Sequence, residues 1–436
     1  MSGDEPVSTS SVTVPVPTRA RVSYLDGLRG VAALVVLCDH LALVFSPALV
    51  LGHSVPHQPA IQYWFATTPI VDLLVSGNFA VCVFYCLSAM ALASKPMRMS
   101  SGHVQRVTVL SAALRRPPRL AIPTVTANLA ACAVLAWLTG PARPFLTLAS
   151  PHVSWLGTWV SGHSPNFMAA AHDGLLGVFT APTTPVDLPL WTMHSELQGS
   201  FLVFLVLLAP WRWLRLVAYP LLGVLFWEQY LFAFILGLVI CEVRTLLLGH
   251  AVSPLVRWSG YLLASAAGSY GLLLGSIPST TPEPPASYYA LVPFLVSSDA
   301  VLVGHVIGAA CLLVAVVTLP PLHALLSSSV ARFLGRISFG FYLLHFPVLM
   351  SVGIATSLWC QGLLGYIPFH PLVQFQAAAV AVVVTFAGTL SIALVFTRVV
   401  DEPLVYRLSK LVAKGRARLG SLDGYVQPTS PSACAS

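Results

Sequence analysis

Apolar runs of about twenty residues alternate with short polar or basic connections along most of this chain. They fall near 28–51, 70–94, 120–139, 190–210, 213–227, 229–248, 257–276, 299–319, 335–358 and 375–400. A helix of roughly 20 apolar residues crosses the ~30 Å hydrocarbon core of a bilayer. The pattern therefore predicts an all-α, polytopic integral membrane protein with about ten transmembrane helices. The weakest pair is 213–227 and 229–248, because the first run is short and the turn between them is minimal. No internal repeat is visible. Residues 1–22 are rich in Ser, Thr, Pro and Val without an apolar core, which predicts a disordered cytosolic tail and not a cleaved signal peptide. Residues 23–403 form the membrane domain. Residues 404–436 form a basic tail, in which Leu404, Val405, Leu408, Leu411 and Val412 recur at helical spacing with Arg407, Lys410, Lys414 and Arg418 opposite. That pattern fits a helix lying on the inner leaflet; a plain basic stop-transfer tail is the alternative.

Charge then orients the spans. With the N-terminus in the cytosol, all but two of the 22 Lys and Arg fall in inner segments. The exceptions are Arg143 in an outer loop and Arg29 at the mouth of the first span. Basic loops stay on the cytosolic side, so an even number of spans and cytosolic N- and C-termini are expected. Two outer loops, 140–189 and 277–298, are long enough to act as lids or caps over a cavity.

Composition agrees with this class. The 436 residues are 56% hydrophobic and 8% charged, with mean hydropathy +0.82, against about a quarter charged in soluble proteins. The net charge of +7 is spread over short connections and does not form a nucleic-acid patch. Eight cysteines, mostly inside apolar spans, show no metal-type pair and no disulfide framework, and read as small buried hydrophobes. His152, His163 and His172 are too widely spaced for one helical metal site.

Candidate chemistry begins in the first span. Arg29 and His40 are eleven residues apart, about three helical turns plus roughly 20°, so they share one face about 16 Å apart. Ionisable groups inside a membrane helix are costly and mark functional sites. His40 has the chemistry of a general base; the alternative is a histidine satisfied by a neighbouring helix. Asp39 adjoins it in sequence but does not share its helical face. Arg29 suits phosphate, or snorkels to lipid. RRPPR at 115–119 places Arg116 and Arg119 on the cytosolic side, where they fit either a nucleotide-type donor or a plain topology signal. Its two prolines predict an irregular backbone there. Glu196 lies about one turn into the run that opens at PLWTMHSELQG (189–199). Consecutive His194, Ser195 and Glu196 diverge by about 100° each and cannot form a triad with one another. His345 follows Tyr342 and precedes Pro347, which is expected to kink its helix. Asp401 and Glu402 close the last span and offset the basic tail.

These stretches, in order across about 25–403, resemble the membrane-bound acyltransferase-3 family. The resemblance rests on LDGLRGVAALVVLCDH (25–40), VFYCLSAMALA (83–93), RRPPRLAIP (115–123), LPLWTMHSEL (188–197), ISFGFYLLHFPV (337–348) and DEP (401–403). Ala89 stands where the family usually has Gly. The absence of an appended esterase-like domain and the Pro/Ser/Thr-rich start look more like fungal members that acylate small natural products. The resemblance implies an O-acyltransferase, most simply an O-acetyltransferase, with acetyl-CoA or another short acyl-CoA as co-substrate and no bound cofactor. It implies Arg29, Arg116 and Arg119 as donor-binding residues. It implies His40 as general base, with Glu196 and His345 orienting the acceptor or completing a proton path. The expected partners are acyl-CoA, a hydroxylated small-molecule acceptor and membrane lipids. The expected location is a multi-pass position in the endoplasmic reticulum or another endomembrane of a eukaryote. The alternatives are acylation of a glycan or lipid on the far side of the membrane, and a small-metabolite transporter with an intramembrane proton relay.

Overall fold

The computed structural model describes residues 23–51, 59–99, 102–140, 159–160, 162–181, 185–247, 253–278, 298–363 and 371–423. The N-terminal tail expected over 1–22 and most of the two long outer loops lie outside the described residues. Leaving out short turns, the helices in chain order are α1 (Ser23–Phe45), α2 (Ala60–Thr67), α3 (Gly77–Ala93), α4 (Gly102–Thr139), α5 (Phe167–His172), α6 (Thr192–Leu207), α7 (Arg212–Leu225) and α8 (Leu231–Leu247). There follow α9 (Pro254–Gly275), α10 (Ser298–Thr318), α11 (Pro320–Leu326), α12 (Ser329–Val348), α13 (Ile354–Leu363), α14 (Pro371–Phe396) and α15 (Glu402–Asp423). No strand occurs among the described residues.

All ten apolar runs hold helix, but among the described residues six helical stretches are long and apolar enough to cross a membrane. They are Ser23–Phe45, Gly77–Arg98, Gly102–Thr139, Val301–Thr318, Ser329–Gly362 and Phe375–Lys414. The other four runs form α6, α7, α8 and α9. At 16, 14 and 17 residues, α6 to α8 are shorter than the roughly 20 residues typical of a crossing. The short α6 starts inside the bundle, because the segment 185–190 ahead of it is largely buried.

Two local expectations meet different outcomes. The RRPPR stretch is not irregular: α4 runs unbroken for 38 residues through Pro117, Pro118 and Pro123. Proline removes one N–H and crowds the carbonyl one turn back. Membrane helices tolerate such prolines, and side chains near them bond back to other carbonyls of the same helix. Arg115 Nε donates to Ser111 O (3.0 Å) and Thr124 Oγ1 to Leu120 O (3.0 Å). Where a kink was expected at Pro347, α12 runs through the proline to Val348 and a π-helical turn follows at Leu349–Gly353. A second π turn, Thr397–Asp401, carries the first residue of the DEP motif. The tail expected to be helical is so, as α15.

The helices that build the site meet without side chains between them. α1 crosses α12 at Gly27, Gly30 and Gly335. A Cβ on Gly30 would lie 2.5 Å from Gly335 N and 2.7 Å from Leu334 Cβ; one on Gly335 would strike Asp26 O, and one on Gly27 would strike Leu326 O. Small residues are how membrane helices approach closely. This contact puts the start of α1 against the start of α12. Two apolar clusters flank it. One gathers α1, α3, α6, α8 and α10 around Tyr85, Phe234 and Leu238. The other gathers α1, α4 and α12 with Trp159 around Leu37, Phe341 and Phe346.

Gly30→Val should force α1 and α12 apart and cost at least the 1–3 kcal/mol typical of overpacking. The check is a lower unfolding midpoint of the detergent-solubilised protein. Gly260→Ala, where nothing lies within 4 Å of the added Cβ, should leave the midpoint unchanged or raise it, since Ala exceeds Gly by up to about 1 kcal/mol in a helix.

Candidate active site

A cavity of about 290 Å³ opens where the start of α1, the end of α3, the middle of α4 and the start of α12 converge. Arg29, Arg116, Arg119 and Glu196 all line it, with Asp26, Ser88, Thr192, Arg336, Tyr342 and Asp401. Arginines outnumber acids there, so the cavity suits an anionic ligand group. The three arginines are not equivalent. Arg116 forms an ion pair with Glu196, donates from Nε to Ser200 Oγ (2.8 Å) and from Nη2 to Ser88 Oγ (3.0 Å). Ser88 Oγ donates to Glu196 Oε1 (2.5 Å), and Ser200 Oγ to the Glu196 backbone carbonyl (2.6 Å). Charge, hydrogen bonds and burial together fix this group in one geometry. Arg29 lies 3.3 Å from Asp26. Arg119 is exposed and makes no side-chain hydrogen bond among the described residues. It is the cavity's least committed cation.

His40 and His345 do not line this cavity. They meet each other: His345 Nε2 lies 3.4 Å from His40 Nδ1, with the rings edge to face at 4.9 Å. His345 is fully buried and His40 nearly so. Their proton positions follow from their backbone partners. A carbonyl oxygen only accepts, so His345 Nδ1 carries the hydrogen that goes to Tyr342 O (2.6 Å), and its Nε2 is an acceptor. Likewise His40 Nδ1 carries the hydrogen shared between Val36 O (2.9 Å) and His345 Nε2. His40 Nε2 is then left with its lone pair and no hydrogen-bond partner among the described residues. A second nitrogen held in this way defines which one is basic. Asp39 Oδ2 is 3.7 Å from His40 Nδ1, beyond a hydrogen bond, and Asp39 packs against Gly77 where α3 begins.

Tyr342 stands between the two halves. It lines the cavity with Thr192, its hydroxyl lies 2.8 Å from Thr192 Oγ1 and donates to Pro189 O (3.0 Å), and its backbone carbonyl receives the His345 hydrogen. The structure thus groups Glu196 with Arg116 and not with the histidines, although the sequence placed Glu196, His40 and His345 together.

Several site residues escaped the sequence reading. Thr192 and Ser200 were missed, although they flank the named Glu196 at i−4 and i+4, a polar stripe on one face of α6 that periodicity reveals. Ser88 was quoted only within a small-residue motif. Asp187 gave no signal, yet it is fully buried with neither carboxylate oxygen hydrogen-bonded, while its N–H donates to Asn128 Oδ1 (2.9 Å). His194 bonds to Phe179 O (3.0 Å), away from Glu196.

A family profile described as an acyltransferase domain matches residues 22–398, nearly the whole described chain. The chain belongs to the acyltransferase-3 family. Among its relatives in that family, the O-acetyltransferase PaAT-1 of Phomopsis amygdali is 28% identical over 79% of this chain and 75% of its own length. Acyltransferase R4 of a Phoma species is 25% identical over 89% of this chain and 96% of its own. Acyltransferase clz18 of Cochliobolus lunatus is 24% identical over the same shares. No solved structure gives a significant match. The chain is therefore an acyltransferase with several membrane-type helices.

Removing one member of the Arg116–Glu196 pair leaves a buried charge without its partner, which typically costs 3–5 kcal/mol. Arg116→Ala and Glu196→Ala should each destabilise the detergent-solubilised protein by that order. The double variant should lose less than the sum of the two, because the sites share one interaction. Unfolding midpoints of the three variants and the wild type measure the coupling.

Proposed function

We propose that this acyltransferase moves an acetyl or other short acyl group from acyl-CoA to a hydroxyl of a small molecule, within a membrane. The observation that carries the reading is the His40–His345 pair, whose backbone partners leave His40 Nε2 as a free base one residue layer from an arginine-lined cavity. His40 Nε2 takes the proton of the acceptor hydroxyl as its oxygen attacks the thioester carbonyl carbon. The carbon–sulfur bond breaks, and the departing thiolate takes that proton back. During this cycle the charge on His40 is met by Val36 O and His345 Nε2 at its Nδ1–H. A neutral hydrogen-bond acceptor there does the orienting work that a carboxylate does in other base-assisted acyl transfers. Arg119 and Arg29 hold donor phosphates; Glu196, Ser88 and Ser200 keep Arg116 extended towards the same ligand.

The rest of the reading concerns placement. An N-terminus in the cytosol, as the distribution of Lys and Arg favours, would put the start of α1, and with it the arginine cavity, on the cytosolic side, where acyl-CoA is found. The endoplasmic reticulum or another endomembrane is the proposed location, and a fungal-type small metabolite the proposed acceptor, by likeness to the relatives. One observation favours a second reading, in which the acceptor comes from the opposite side. His40 and Phe346 lie 6.3 Å apart between ring centroids, and Phe346 lies 5.3 Å from Trp159, a residue of the 140–189 loop. Phe346 thus links His40 to that outer loop.

Membranes carrying the protein, given radiolabelled acetyl-CoA and a hydroxylated metabolite extract from the host, test this. Wild type should form a labelled, extractable small molecule. His40→Ala should lower the rate by about 10²–10⁴-fold, the usual contribution of a general base. Arg119→Ala should raise the acyl-CoA concentration needed for half-maximal rate. Full transfer by His40→Ala would remove it as base. Label entering lipid or glycan would move the acceptor, and metabolite uptake without acyl-CoA would favour transport.

A further inference from the structure

A second cluster of charge lies away from the cavity, between α7 and α8. On α7, Arg212, Arg215 and Tyr219 follow at i, i+3 and i+7 and so share a face. All three converge on Glu242 of α8. Arg215 reaches both carboxylate oxygens (3.1 and 3.2 Å), Arg212 Nε donates to Oε1 (2.9 Å) and Tyr219 to Oε2 (2.9 Å). Glu242 and Arg215 are buried, whereas the Arg212 side chain is 43% exposed. Arg212 spends only its Nε on Glu242; its terminal Nη groups have no partner among the described residues. The cluster has two cations and one anion, leaving one positive charge at the surface.

An apolar groove begins at the same residues. About 480 Å³ in volume, it runs between α7 and α8 from Leu216 and Tyr219 past Gly223 to Trp227, with Phe232 and Leu236 on the other wall. Tyr219 belongs to both features. Leu216 to Leu225, the end of α7, is nine residues, about 14 Å of helix, close to half of the ~30 Å hydrocarbon core, which is one leaflet. Trp211 and Trp213 flank Arg212; their indoles stack at 6.1 Å and both are largely exposed. Exposed indoles of this kind sit at headgroup level.

We propose that this groove is a binding site for one anionic membrane phospholipid, with its phosphate on Arg212 and an acyl chain along α7 and α8. Net positive charge at the mouth, apolar walls of one-leaflet length and interfacial tryptophans beside the cation each match one part of that molecule. Such a site would make the packing of the short α7 depend on leaflet composition. It stands apart from the acyl-transfer cavity and does not rest on the reading of that cavity.

Native mass spectrometry of the protein released from nanodiscs tests the assignment. The probes are phosphatidylcholine alone and phosphatidylcholine mixed with phosphatidylserine. Wild type should retain one phospholipid and prefer phosphatidylserine by roughly fivefold, as one cation near an anionic headgroup predicts. Arg212→Gln should keep the lipid and lose the preference. Gly223→Leu should lose the lipid itself, since a Cβ there would meet only Phe232 Cε2, at 3.7 Å, and the larger side chain fills the groove. If Gly223→Leu elutes as an aggregate, Val224→Trp, at a position 80% exposed, covers the groove from the surface. Equal retention of both lipids by wild type, no retained lipid, or full retention by the folded groove variants would overturn the proposal.

Discussion

Gly27 and Gly30 on α1 and Gly335 on α12 carry no side chain where the two backbones meet, and that contact sets the position of the rest of the site. With α1 held against α12, Arg29 faces the cavity beside Arg336, and three turns further along His40 comes level with His345. In lipid there is no hydrophobic drive to press two apolar helices together; close packing must do it. A methyl group added at Gly30 or Gly335 would meet the facing backbone within 2.5 Å, so the two helices would have to move apart.

The site then divides into two kinds of constraint. Around Arg116 it is electrostatic and over-determined: an ion pair with Glu196, hydrogen bonds from the guanidinium to Ser88 and Ser200, and hydrogen bonds from both serines to Glu196 fix one geometry. Around His40 it is a matter of tautomer. Backbone carbonyls of Val36 and Tyr342 take the Nδ1 hydrogens, so the ring nitrogens sort into donors and acceptors without any carboxylate in hydrogen-bond reach. Tyr342, pinned to Pro189 and Thr192, joins the halves. The arginine-lined cavity and the histidine pair are thus separate arrangements joined through one tyrosine.

The chain's punctuation misled at one point and informed at another. Two adjacent prolines argue against helix in water, yet α4 continues through them, as membrane helices tolerate. Pro347 marks an irregularity nearby: the helix runs through it, and a π turn begins two residues later. The short α6 was drawn from sequence as a full span. Its first residues are instead bound into the bundle by Tyr85, whose hydroxyl donates to Thr192 O (3.0 Å).

By itself the sequence determined the class of protein, because membrane burial is a property of composition and of run length, both local. It also determined the family, because the motifs and their order are linear, and it placed Arg29 and His40 on one face, because helical periodicity is linear too. Which charges meet was decided only by the tertiary structure. Glu196 pairs with Arg116 across 80 residues, and His40 with His345 across 305. No local period encodes those distances; they follow from which helix faces pack, and here that depends on glycines at a crossing whose partner lies at the other end of the chain.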